Sequence, residues 1–179
     1  MHNPPTRYHP ALVALHWLLA LGLIFALSMG TLSLDNLPNA SPDKIGALRG
    51  HMIVGVVLAG LMLVRLITRL KSATPPAAST GSGALDLLGR VVHAGLYLAV
   101  FLMAASGAAT AFLADLPQIV FFGSGQPLPE DFRHLWPRSV HGLMAKVLMA
   151  LIVLHVIGAL FHQFRLKDRL LSRMWFGPR

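Results

Sequence analysis

Two histidines, His141 and His155, lie in one apolar run over residues 140–161, and His162 follows it directly. Fourteen residues separate the first two. In a helix that spacing returns nearly to the same face and sets the imidazoles about 21 Å apart along the axis. Two ligands on one face, separated by most of a ~30 Å hydrocarbon layer, suit two redox centres stacked across a membrane. Such centres need a second histidine at each height, brought by other helices.

Composition supports a lipid setting. Of 179 residues, 55% are hydrophobic and only 12% charged, where a soluble domain carries about 25% charged residues. There is no cysteine, which removes disulfides, thiolate metal sites, iron–sulfur ligation and covalent haem attachment. The nine histidines are then the strong nitrogen ligands. The net charge of +8 does not imply nucleic acid, because the basic residues flank long apolar runs rather than cover a soluble face.

Four runs are long enough to cross a membrane, at about residues 11–29, 50–70, 91–113 and 140–162. The first lacks a convincing small-residue cleavage site and reads as a span rather than a leader. The stretch 72–83, SATPPAASTGSG, reads as a flexible connection. A short apolar piece at 119–122 cannot cross and is expected at the interface, and the basic tail 163–179 is expected along the membrane surface. The fold class is therefore all-α: an integral membrane four-helix bundle in a single domain, 1–179.

Four spans put both termini on one side. Ten basic residues, Arg179 among them, lie on that side, against five on the other: Lys44, Arg49, Arg133, Arg138 and Lys146. The positive-inside bias makes both termini cytoplasmic. Each histidine then acquires a height. His51 and His141 enter their spans near the outer face. His16 lies about 9 Å into the first span, and His155 about 10 Å in from the cytoplasmic end of the fourth. The expected pairs are His51 with His141 and His16 with His155.

No span carries a carboxylate to complete a zinc or di-iron shell, whereas haem needs two axial imidazoles and an apolar slot. Gly22, Gly55, Gly60, Gly95, Gly107 and Gly158 are candidates to make that room. Arg65, fourteen residues after His51, falls at the cytoplasmic haem's height and is a candidate propionate partner. His93 lies near the start of its apolar run, too early to match His155. His162 is a candidate for a quinone contact or proton exit, or for a plain boundary residue. His2, His9 and His134 read as surface residues.

These segments resemble the bacterial cytochrome b561 family of four-helix, di-haem inner-membrane proteins. The resemblance rests on RYHPALVALHWLLALGL, RGHMIVGVVLAGLMLVRLITRLK, HAGLYLAVFLMAASG, HGLMAKVLMALIVLHVIGALFHQF and the ending KDRLLSRMW. It implies His16, His51, His141 and His155 as axial ligands of two haem b groups, with His93 not a ligand. Many members carry an arginine between the first tyrosine and the HW pair; here His9 and Pro10 stand there. The family implies a bacterial inner-membrane location and electron transfer involving ubiquinone, some members being similar to superoxide:ubiquinone oxidoreductases. Related cytochromes act as anchors for a dehydrogenase or hydrogenase; the compact length fits the free-standing type. Outside this class, the alternative is a haem-free transporter or structural membrane protein using its histidines as polar contacts.

Overall fold

The computed structural model describes residues 5–177, so His2 and Arg179 lie outside the described residues. Helix α1 (Pro10–Ser28) starts with Pro10 at a position where no amide is required, and His9 caps it by accepting the Ala11 N–H on Nδ1 at 3.2 Å. It continues through a π turn, Met29–Ser33, and a 3-10 turn, Leu34–Asn36. Helix α2 (Asp43–Lys71) has Asp43 in its first turn and Arg69 and Lys71 in its last, matching the helix dipole. Helix α3 (Gly83–Leu113) opens on an acidic anchor: Asp86 accepts from the Thr80 N–H and from the hydroxyls of Thr80 and Ser79. The short α4 (Leu116–Val120) precedes α5 (Trp136–Leu160), which runs on through a second π turn, Phe161–Leu166, before α6 (Leu170–Arg173).

Four of these stretches are long and apolar enough to cross a membrane: Pro10–Asn36, Asp43–Lys71, Gly83–Leu113 and Trp136–Leu166. Large apolar side chains such as Leu21, Phe25, Val56, Phe112 and Val153 face outward on them, as lipid-facing helices require. Helices α1 and α2 form one closely packed hairpin, and α3 packs along α5 as a second pair. The two hairpins meet in an apolar septum of Leu19, Leu58, Met62, Ala99, Val100 and Leu148. Leu148 is 1% exposed and lies seven residues from His141 and seven from His155, so it divides the two histidine heights.

Both ends of the chain meet at one end of the bundle. The Arg7 guanidinium donates to the Ser172 carbonyl at 3.0 Å, Tyr8 N–H to the Arg173 carbonyl at 3.1 Å, and the Trp17 indole to the Met174 carbonyl at 2.9 Å. Arg173 in turn donates to the Pro76 carbonyl in the α2–α3 connection at 2.9 Å. The tail is thus tied to the bundle's terminal end, with Trp175 and Phe176 still exposed. At the far end the short apolar piece belongs to α4 and the turn after it, with one side packed inward and Phe121 and Phe122 facing outward. Leu116, Ile119 and Val120 are buried, and Leu116 and Val120 pack with Leu34, Leu48, Ala111 and Ala114.

Candidate haem-binding sites

Helical rise and packing together bring the four expected histidines into two opposed pairs. His16 on α1 faces His155 on α5 with ring centres 6.0 Å apart, at the terminal end. His51 on α2 faces His141 on α5 with ring centres 6.1 Å apart, toward the far end. Two imidazoles bound to opposite sides of one iron, each at a metal–nitrogen distance of about 2.0 Å, hold their ring centres roughly 6 Å apart. Both pairs therefore have the separation that one shared iron demands. Among the described residues, no three His, Asp or Glu side chains converge as an ion site.

The far-end pair is built in most detail. His141 Nδ1 lies 2.9 Å from the Met103 carbonyl, with the Ser106 hydroxyl at 3.5 Å. An Nδ1–H donated to that carbonyl fixes the tautomer and leaves Nε2 as the ligating atom. Gly107, one turn after Met103 on α3, lies against the same edge of the ring: a Cβ there would stand 3.1 Å from both Cε1 and Nδ1 of His141. His51 Nδ1 is buried with no hydrogen-bond partner among the described residues, which leaves room for a group from outside the chain. The residues present fit a bis-histidine haem.

At the terminal-end pair, His93 is the surprise. Its ring centre lies 5.0 Å from that of His155, so it is at His155's height after all. The reason is that α3 begins at Gly83, eight residues before the apolar run, so His93 sits well along the helix rather than at its start, on an exposed flank. The contact is shorter than an axial pair across one iron, and Nδ1 of His93 is held at 2.7 Å by the Gly89 carbonyl. His93 flanks the terminal-end pair from the side. Arg65 donates to the Leu12 carbonyl at 2.6 Å and is partly buried at this end of the bundle.

The glycines divide by role. Gly107 makes room for His141, Gly22 for the Leu58 side chain and Gly95 for Leu151, whereas at Gly55, Gly60 and Gly158 an added methyl would meet nothing within 4 Å. The far-end cations are also less available than their sequence positions suggest. Lys44 is 6% exposed and donates to the Leu34 and Leu37 carbonyls, each at 2.7 Å. Arg49 donates twice to the Val120 carbonyl, and Arg138 pairs with Asp35 at 2.6 Å. Arg133 and Lys146 keep exposed side chains.

His162 lies in the π turn at the terminal end, where Asp168 Oδ2 stands 2.6 Å from its Nδ1. Sequence reasoning missed Asp168. Burial pushes its carboxyl up, but the hydrogen bonds from His162 and the Leu170 N–H outweigh this and hold it below the ordinary carboxylate range.

Residues 7–177 match the family model described as prokaryotic cytochrome b561. Cytochrome b562 of Cereibacter sphaeroides is 30% identical, over 90% of this chain and 90% of its own. Cytochrome b561 homolog 2 of Escherichia coli is 28% identical, over 96% and 93%. A probable superoxide oxidase CybB of Yersinia pestis is 28% identical, over 94% and 95%. Four membrane-length helices and these bacterial relatives make it a multi-span protein of the bacterial inner membrane. The chain belongs to the prokaryotic cytochrome b561 family.

Proposed function

We propose that this protein carries electrons across the bacterial inner membrane through two non-covalent b-type haems, from superoxide at the outer face to ubiquinone. The observation that carries the reading is the pair of opposed histidine couples, 6.0 and 6.1 Å between ring centres, on either side of one apolar septum. His16 and His155 hold one haem near the termini, and His51 and His141 the other. The excess of basic residues at the terminal end puts both termini in the cytoplasm.

When bound, the two haems supply one-electron relay steps. The chain's own residues set where and how. His16 with His155, and His51 with His141, would hold the two groups, and a histidine on each side would leave no open position for oxygen or superoxide to bind. The Met103 carbonyl holds His141 in the ligating tautomer. Arg65, anchored on the Leu12 carbonyl, offers a cation to a propionate of the terminal-end haem. Leu148 and its neighbours keep water out of the space between the haems. His162 and Asp168 mark a polar corner at the cytoplasmic boundary where a quinone head group is protonated.

The superoxide donor is supported by the similarity to the Yersinia pestis relative and by the closeness of the His51–His141 pair to the far end. The internal bonds of Lys44, Arg49 and Arg138 favour a second reading, in which a partner dehydrogenase or hydrogenase delivers the electron, because they remove most of the cation cluster that would attract a small anion. One experiment separates the two. Enzymatically generated superoxide is supplied to haem-loaded protein with a ubiquinone analogue. Haem reduction and quinol formation should rise together and disappear with added superoxide dismutase. Indifference to superoxide, with fast reduction by a co-purifying dehydrogenase, replaces the first reading by the second. A folded preparation that binds no haem under full haem supply sinks both.

A further inference from the structure

The fourth span does not end as a plain helix. After Leu160 the backbone widens into the π turn Phe161–Leu166, and then Lys167 and Arg169 both adopt left-handed conformations, at φ 56° and 57°. Each such non-glycine residue costs about 1 kcal/mol or more. Strained residues and π turns concentrate at functional sites. Here they fold Asp168 back onto the helix. Asp168 Oδ2 reaches His162 Nδ1 at 2.6 Å, Oδ1 accepts the Leu170 N–H at 3.1 Å, and the Asp168 N–H points to the His162 carbonyl at 3.4 Å. The His162 side chain is 12% exposed and that of Asp168 28%, so the pair is shielded yet reaches the boundary. Gln163, next in sequence, buries its Oε1 with no partner among the described residues.

We propose that Asp168 is a positioning residue for proton transfer to the quinone: by accepting the Nδ1–H of His162 it fixes the tautomer and ring orientation that present Nε2 to a quinone oxygen. The inference rests on the quinone reading above. Reduction of a quinone to a quinol takes two electrons and two protons. The electrons arrive singly from the haem chain. One proton leaves Nε2 of the doubly protonated His162 ring, which returns to the Nδ1–H tautomer held by Asp168 and is then reprotonated on Nε2 from water at the boundary; the second proton comes directly from water. Asp168 exchanges no proton and orients the donor, as a carboxylate behind a general acid–base histidine does.

The test is stopped-flow reoxidation of pre-reduced, haem-loaded protein by ubiquinone-1, with ferricyanide as a second oxidant. Asp168→Asn is expected to slow reoxidation by saturating ubiquinone-1 roughly tenfold, leaving the half-saturating concentration, the haem spectra and the ferricyanide rate unchanged. Asp168→Glu should recover most of that rate, and the solvent deuterium isotope effect should be larger in Asp168→Asn than in wild type. An Asp168→Asn protein with wild-type rate and isotope effect overturns the proposal. So does an equal loss in Asp168→Glu with no change in isotope effect, which marks the contact as a tail clamp. Wild type alone provides a check should Asp168→Asn not fold: absence of slowing in deuterium oxide at saturating ubiquinone-1 also overturns it. If wild type is reoxidised by ferricyanide and not by ubiquinone-1, the quinone reading falls and this proposal with it.

Discussion

Replacing Gly107 by alanine puts one methyl in front of His141. The added Cβ would stand 3.1 Å from Cε1 and Nδ1 of the ring, against about 3.5–4.0 Å for relaxed carbon contacts. The ring must therefore retreat by roughly 0.4 Å. Its Nδ1 is tied at 2.9 Å to the Met103 carbonyl, and such a retreat carries that bond past the ordinary limit of about 3.2 Å. The lost bond costs about 1 kcal/mol. Disturbing an atom that orients a ligand lowers affinity for the bound metal group by about 10- to 100-fold. Helix propensity acts the other way, since alanine stabilises a helix interior by about 1 kcal/mol over glycine. The two effects appear in different assays. Haem content should drop from two per chain toward one, with the His16–His155 signal intact, while apoprotein thermal stability holds or rises. Gly60→Ala, with no neighbour near its new methyl, should keep both haems. A Gly107→Ala protein with two haems and an unshifted far-end midpoint potential would falsify the reasoning about His141.

Other expectations follow from the same geometry. His51→Ala and His141→Ala should each remove the far-end haem, and His16→Ala and His155→Ala the terminal-end one, read as haem counts and low-temperature spectra; loss of the terminal-end haem in His93→Ala, with His16→Ala intact and low-spin, would reverse that pairing. Lys44→Met removes two charge-assisted bonds worth about 1.5–3 kcal/mol each before relaxation, so thermal unfolding should come earlier by several degrees while the salt dependence of superoxide oxidation stays as in wild type. Arg133→Gln, by contrast, should weaken that salt dependence and leave stability unchanged. Arg65→Gln should lower the terminal-end haem's midpoint potential through loss of a positive charge, with the far-end potential constant in redox titration.

The spans were legible because apolar length alone decides them, and the heights of His16, His51, His141 and His155 followed from a fixed rise per residue. The height of His93 did not follow, because the segment GALDLLGR is polar enough to look like a loop yet contains no helix stop, and α3 absorbs it. Lys44 read as a surface cation. Its acceptors, the Leu34 and Leu37 carbonyls, are freed by a 3-10 turn that apolar periodicity does not announce. The inward packing of Val120 was not legible in the piece at 119–122, because it depends on Leu34, Leu48 and Ala111 from other segments closing over it. Asp168 was overlooked for a related reason: the reversal that returns it to His162 uses left-handed Lys167 and Arg169, where sequence reading expects glycine or asparagine.

The placement of the histidines has a consequence for how the protein is made. Helices α1 and α2 bring one histidine each, and α5, the last span synthesised, brings the partner of both. A ribosome that has released the first three spans has delivered half of each site and the whole of neither. On the proposed function, cofactor capture must wait for α5 to enter the bilayer. It then fastens the late hairpin to the early one at two levels at once, so a chain truncated before residue 136 is expected to insert, to remain haem-free and to be cleared by membrane proteolysis.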